Sequence, residues 1–97
     1  MKYLINTLCL ALCACNAPSM GYRDLPEFTA QVGGANFTIR ADHDRAEALR
    51  TNRMMGARYA IVAPLAAEAM AQVTGCAIVP GSLGGDAVMI TARLDCP

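Results

Sequence analysis

Residues 76–96 read Cys76-Ala-Ile-Val-Pro-Gly-Ser-Leu-Gly-Gly-Asp-Ala-Val-Met-Ile-Thr-Ala-Arg-Leu-Asp-Cys96. The first residues, Cys76–Val79, are apolar enough for a short strand, and the Gly- and Pro-rich run Pro80–Asp86 is typical of a turn. Ala87–Leu94 alternates and predicts the return strand of a hairpin. Its apolar face would be Val88, Ile90, Ala92 and Leu94. Antiparallel pairing would then bring the two cysteines together.

A second hairpin is predicted near the start of the globular part. Glu27–Val32 alternates apolar and polar residues, as expected of a half-buried strand. Gly33–Asn36 is a turn, and Phe37 and Ile39 alternate with polar neighbours in the strand that follows.

The segment between the hairpins predicts the main helix. Ala57–Thr74 carries apolar residues at helical spacing, and Gly75 is a natural residue for the helix end. These apolar positions are Val62, Leu65, Ala69 and Val73. Pro64 lacks an N–H, so we expect either a helix from about Ala63 or a kinked one from about Ala57.

A shorter segment, residues 45–53, leaves two interpretations open. Asp44 followed by Glu47 resembles a capping box, and the Ala and Glu content favours a short helix from Arg45 to about Arg53. The alternative is a turn at Asp42–Asp44 followed by a strand over 46–51.

Together these elements predict an α+β fold in the order β-β-α-β-β. A small antiparallel sheet made of two hairpins, with the helix packed on one face, is the simplest way to bury the apolar stripes. The chain of 97 residues allows one domain at most, which we place at residues 25–97. The formal net charge is +0, which excludes the basic field that nucleic-acid binding requires.

The N-terminus is typical of an export signal. Met1-Lys2 is a short positive region, and Tyr3–Leu12 is an apolar stretch of about ten residues, shorter than the roughly twenty that span a bilayer. We therefore interpret residues 1–14 as a signal peptide.

The four residues Leu12-Cys13-Ala14-Cys15 resemble the lipobox of bacterial lipoproteins. This resemblance implies cleavage before Cys15, lipidation of its thiol, and stable anchoring by several acyl chains. Asn16 follows in place of the Asp that retains lipoproteins in the inner membrane. Within this resemblance, Asn16 therefore implies an outer-membrane lipoprotein that faces the periplasm. The alternative is ordinary cleavage after Ala14, which would leave a soluble periplasmic protein.

The lipobox assignment also determines which cysteines would remain to form a disulfide. Cys9 and Cys13 would leave with the signal peptide and Cys15 would carry lipid, so Cys76 and Cys96 remain as one disulfide pair in an oxidising compartment. Residues 15–24 would be a lipidated tether. The segment from Thr74-Gly75-Cys76 to Leu94-Asp95-Cys96 is also similar to the ends of other small exported bacterial proteins that have no assigned function.

Candidate chemistry is sparse. Asp42-His43-Asp44 is the one acid–His cluster, and it is better explained as a turn than as a metal or acid/base site. Ser82 stands in a Gly-rich turn with no base near it in sequence, and five arginines lie between Arg40 and Arg58. We expect no catalytic residues, metal or cofactor, and a non-enzymatic envelope module with an envelope-protein or cell-wall partner. A periplasmic metal or ligand binder that uses the acid–His cluster and nearby arginines is the alternative.

Overall fold

A computed structural model describes residues 21–97, and the predicted signal peptide, Cys15 and the first part of the tether lie outside them. The elements are strands β1 Glu27–Val32, β2 Ala35–Ala41 and β3 Arg45–Arg50, helix α1 Tyr59–Thr74, and strands β4 Ala77–Ile78, β5 Gly84–Gly85 and β6 Met89–Asp95. All strand pairs are antiparallel, and the order across the sheet is β1-β2-β3-β6-β4, with β5 also paired to β6. The α+β class is confirmed, but each side of the helix has one strand more than the predicted two-hairpin order.

The first hairpin forms as predicted, with β1 running from Glu27 to Val32. Its turn is tighter than predicted, because β2 begins at Ala35 and only Gly33 and Gly34 connect the strands. Both glycines have positive φ, 57° and 82°, as a type I′ hairpin turn requires. A Cβ on Gly33 would lie 2.7 Å from Cδ2 of Leu65, so the helix rests closely on this turn.

Of the two interpretations of residues 45–53, the favoured short helix is wrong and the alternative strand is confirmed, because Arg45–Arg50 is strand β3. It fills the centre of the sheet, paired with β2 on one side and β6 on the other. Ala46 and Ala48 are fully buried beneath the helix. Hydrogen bonding along both edges outweighs the weak helical preference of Ala and Glu in this segment.

Helix α1 begins at Tyr59, between the two predicted starts, and ends at Thr74. Gly75 follows with φ 72°, and its N–H donates to the carbonyl of Ala71, so the predicted helix end is confirmed. Pro64 lies inside the helix on its exposed side, where the missing N–H costs least. The buried helix residues are Val62, Ala63, Ala66, Ala69 and Met70. Their small side chains let the helix approach the sheet closely.

The last hairpin is shorter and more broken than predicted. The first strand of the predicted pair is reduced to β4, and the predicted turn contains β5. Ile90, Ala92 and Leu94 are buried as predicted. Val88 is not buried. It precedes β6, which begins at Met89, and its side chain is 46% exposed. The Sγ atoms of Cys76 and Cys96 lie 2.03 Å apart, at disulfide distance, where the start of β4 lies beside the end of β6.

The helix packs on one side of the sheet, the helix side. We call the other side, which no helix of the described residues covers, the open face; its central row runs across Glu27, Arg40, Glu47 and Thr91. Within residues 21–97, no helix is long and apolar enough to cross a membrane.

Candidate functional site

The predicted acid–His cluster forms the turn between β2 and β3. Oδ1 of Asp42 accepts hydrogen bonds from the backbone N–H of Asp44 at 2.9 Å and of Arg45 at 3.0 Å. Its Oδ2 lies 3.3 Å from Nε of Arg45. The N–H of Asp44 is the main reason that the pKa of Asp42 falls to about 2. The carboxylate of Asp42 is therefore ionised and already satisfied by the turn.

The turn before β6 repeats this arrangement without a histidine. Oδ1 of Asp86 accepts the backbone N–H of Val88 and of Met89, both at 2.8 Å. These two bonds hold the pKa of Asp86 below its usual range. Closing a turn by an Asp side chain is a general device. The hydrogen bonds of Asp42 are thus explained by the turn alone.

A metal ion at this turn would find three candidate ligands. One ligand atom from each of Asp42, His43 and Asp44 lies within 4.8 Å of the other two, and both His43 and Asp44 are exposed. A divalent ion would have to compete with Arg45 for Asp42. Exposure would also leave most of its coordination to water, so the arrangement favours weak binding.

Two of the neighbouring arginines link a strand to another strand or to a loop. Nη2 of Arg40 lies 2.7 Å from Oε1 of Glu27, joining β2 to β1. Nε of Arg50 donates to the carbonyl of Ala87 at 3.1 Å, and its Nη1 donates to the carbonyl of Asn52. Each is therefore partly occupied by contacts within the domain.

Arg45 holds the beginning of the described chain against the open face. Its Nη2 donates to the carbonyl of Gly21 at 2.7 Å, and its Cζ lies 4.7 Å from the centroid of the Tyr22 ring. Burial raises the pKa of the Tyr22 hydroxyl, while the neighbouring guanidinium opposes that rise. The last residues of the predicted tether are thus packed on the domain.

Glu47 is the one buried charged residue within residues 21–97. It is 2% exposed although it lies on the open face, and it adds to the rise in the pKa of Tyr22 that burial mainly causes. Alternation within β3 places Glu47 on this face. The burial of Glu47 depends on which segments pack over β3, and the local sequence does not indicate those segments.

Several shallow grooves include residues of the open face. The first, of about 400 Å³, is lined by the apolar residues Leu49 and Val88 and by the charged residues Glu27, Arg40 and Arg50. The second, of about 310 Å³, includes Ser82 and Arg93. Ser82 Oγ donates to the carbonyl of Val79 at 2.7 Å and accepts the N–H of Arg93 at 3.0 Å, which are turn contacts.

His43 lines a different groove from Ser82, beside Phe28, Cys96 and Pro97. The structure therefore does not bring the candidate nucleophile and the candidate base together. It does bring Cys76 and Cys96 together at the edge of that same groove.

Sequence reasoning missed the role of Asn52. Its Oδ1 accepts the N–H of Asn36 at 2.9 Å, and its Nδ2 donates to the carbonyl of Gly34 at 2.8 Å. The side chain thereby ties the segment after β3 to the first hairpin turn. A polar residue that follows a strand and precedes a helix gives no sign of such a distant contact.

No protein-family model matches the chain, and no curated protein or solved structure matches it either.

Proposed function

We propose that this chain is a membrane-anchored envelope lipoprotein, cleaved before Cys15 and lipidated there, whose domain is a non-enzymatic interaction or accessory module. The observation that carries the proposal is the lipobox Leu12-Cys13-Ala14-Cys15 that follows a short apolar stretch. The outer membrane, with the domain facing the periplasm, is the proposed location.

The fold supports this proposal through its cysteines. Cys76 and Cys96 lie at disulfide distance. Such bridges persist in oxidising compartments, where an exported domain resides. A small domain with many short side chains in its core gains much of its stability from a bridge.

The short distance between anchor and domain indicates how the module would be used. Gly21, six positions after Cys15, is held against β3 by Arg45. Six extended residues reach about 20 Å, so the domain would stay at the membrane surface. The first groove, whose lining includes Leu49, Val88, Arg40 and Arg50, is the surface we assign to an envelope-protein or cell-wall partner.

The anchoring is tested with Cys15→Ser and the matched variant Cys13→Ser. Cells expressing each form are extracted with a detergent that separates into two phases. We expect wild type and Cys13→Ser in the detergent phase and Cys15→Ser in the aqueous phase or uncleaved. If mature Cys15→Ser partitions like wild type, the lipid-anchor proposal fails.

A metal or small-ligand binder remains the second candidate, because the ligand atoms of Asp42, His43 and Asp44 lie within 4.8 Å of one another. Calorimetric titration with Zn²⁺ compares wild type with His43→Ala. A loss of binding in the variant supports this candidate, whereas equal affinities exclude it.

A further inference from the structure

Strand β1 forms one edge of the sheet and pairs only with β2 among the described strands. The N–H of Ala41 donates to the carbonyl of Pro26 at 3.2 Å, so these directly opposite residues form a hydrogen-bonded pair. In an antiparallel ladder, bonded and non-bonded pairs alternate. The N–H and C=O groups of Glu27, Thr29 and Gln31 therefore point away from β2, toward the outside of the sheet.

This edge has few of the features that usually prevent strand pairing. β1 is a continuous six-residue strand without Pro, Lys or a bulge. Its one charge, on Glu27, is neutralised by Arg40. The opposite edge is different, because there β4 and β5 are two residues each and are separated by a turn. The two edges are thus unequally protected.

We propose that β1 pairs with β1 of a second copy of this chain, antiparallel, about a two-fold axis at Thr29. In this register the outward backbone groups of Glu27, Thr29 and Gln31 bond to those of Gln31, Thr29 and Glu27 of the second copy. This pairing gives a hydrogen-bond partner to every backbone N–H and C=O group of β1 that points away from β2. None of these groups is left facing an apolar surface.

The side chains are complementary in the same register. On the open face, the carboxylate of Glu27 lies opposite the amide of Gln31 of the second copy, and two threonines meet at the axis. On the helix side, Phe28 lies opposite Ala30 of the second copy, a large residue against a small one. Phe28 is 37% exposed in the single chain, and this contact covers it.

The symmetry agrees with the membrane anchor, and this step rests on the proposed function. A two-fold axis perpendicular to the sheet keeps both open faces on one side. Arg45 holds Gly21 against the open face, so both tethers leave toward the same bilayer. The pairing of two short strands buries less surface than stable dimers in solution. Confinement to a membrane raises the effective concentration, so the dimer belongs to the anchored protein.

The test places single cysteines along β1 in the full-length protein and oxidises isolated membranes mildly. Thr29→Cys should form a disulfide-linked dimer, since directly opposite bonded residues have Cα atoms about 5.5 Å apart. Gln31→Cys is the matched control, because its two copies would lie about 14 Å apart and should not link. Coexpressed Glu27→Cys and Gln31→Cys should link to each other.

The distribution of the variants between membrane and soluble fractions is measured in the same samples. Membrane-bound Thr29→Cys that stays monomeric overturns the dimer and leaves the anchor intact. Soluble Thr29→Cys overturns the anchor, and its crosslinking then reports on the pairing alone. Equal linking of Thr29→Cys and Gln31→Cys indicates random collision and overturns the register, and so does linkage of Thr29→Cys only to a different protein.

Discussion

The carbonyl oxygen of Gly21 lies 2.7 Å from Nη2 of Arg45, which also stacks its guanidinium over the Tyr22 ring. The side chain of Arg45, on β3, therefore contacts the first two described residues, Gly21 and Tyr22. Because β3 lies at the centre of the sheet, this contact fixes where the chain leaves the domain.

The first prediction concerns this contact. Arg45→Gln removes the stacking on Tyr22, the bond to Gly21 and the ion pair with Asp42. It should lower the free energy of unfolding by about 1 kcal/mol because the site is half-exposed. Limited proteolysis within 21–26 should become faster. Urea unfolding and cleavage rates provide the measurements.

Arg93→Gln is its matched control, since Arg93 lies directly opposite Arg45 on β6 and on the same face. It should change stability by less than about 0.5 kcal/mol. An equal loss in both variants would show a general charge effect and contradict the specific role of Arg45.

The second prediction is a pH dependence centred on Asp42. Its pKa falls from 3.8 to about 2 in the folded protein, so the ionised carboxylate stabilises the fold. This stabilisation is complete above about pH 5 and is lost as the pH falls through 3.8 toward 2. Asp42→Asn should lose about 1 kcal/mol at pH 7, a discounted value because the side chain is 24% exposed, and almost nothing near pH 2.

Asn52→Ala provides the comparison for that experiment, because it removes two hydrogen bonds of a side chain that carries no charge. Its stability difference from wild type should stay constant over the same pH range. Unfolding curves recorded at several pH values decide the matter, and a difference for Asp42→Asn that does not shrink in acid would refute the assignment.

The third prediction compares two glycines with positive φ. A Cβ on Gly85, where φ is 104°, would lie 2.0 Å from the carbonyl oxygen of Met89. A Cβ on Gly34, where φ is 82°, would meet nothing within 4 Å. Gly34→Ala should therefore cost only the left-handed strain of about 1–2 kcal/mol. Gly85→Ala should cost at least about 3 kcal/mol, and similar midpoints for both in urea would disprove the close approach.

The fourth prediction concerns the bridge between Cys76 and Cys96, whose sequence separation is 20. Closing a loop of this length should contribute about 3 kcal/mol in the chain-entropy model. Replacing both cysteines by Ala should lower stability by that amount. A reductant should bring wild type to the same level and leave the double variant unchanged, whereas a wild type that is insensitive to reductant would contradict the bridge.

The predictable parts of the fold were those where local pattern and tertiary contacts agree. Glu27–Val32 alternates cleanly and is a strand, and Gly75 ends the helix because it adopts positive φ without strain. At Arg45–Arg50 the local preference for helix and the tertiary contacts disagree. Ala46 and Ala48 are small because the helix lies directly above them, a reason that single-sequence patterns do not reveal.

The candidate site was predictable only in part, for a related reason. The turn at Asp42–Asp44 was favoured by residue type, and the structure forms it. The contacts of Arg45 with Tyr22 and of Asn52 with Gly34 join residues far apart in sequence. Such contacts depend on how the strands lie side by side, so no pattern of residue spacing predicts them.

The position of β6, the last strand in sequence, between β3 and β4 sets the order in which the sheet can form during synthesis. Chains emerge from the N-terminus, so the first three strands can meet before the last one exists. Strand β3 then keeps one edge unpaired until Met89–Asp95 arrives. Cys76 likewise has no partner until Cys96, which follows β6, has been synthesised. The bridge between Cys76 and Cys96 can therefore close only after every strand of the sheet has been synthesised.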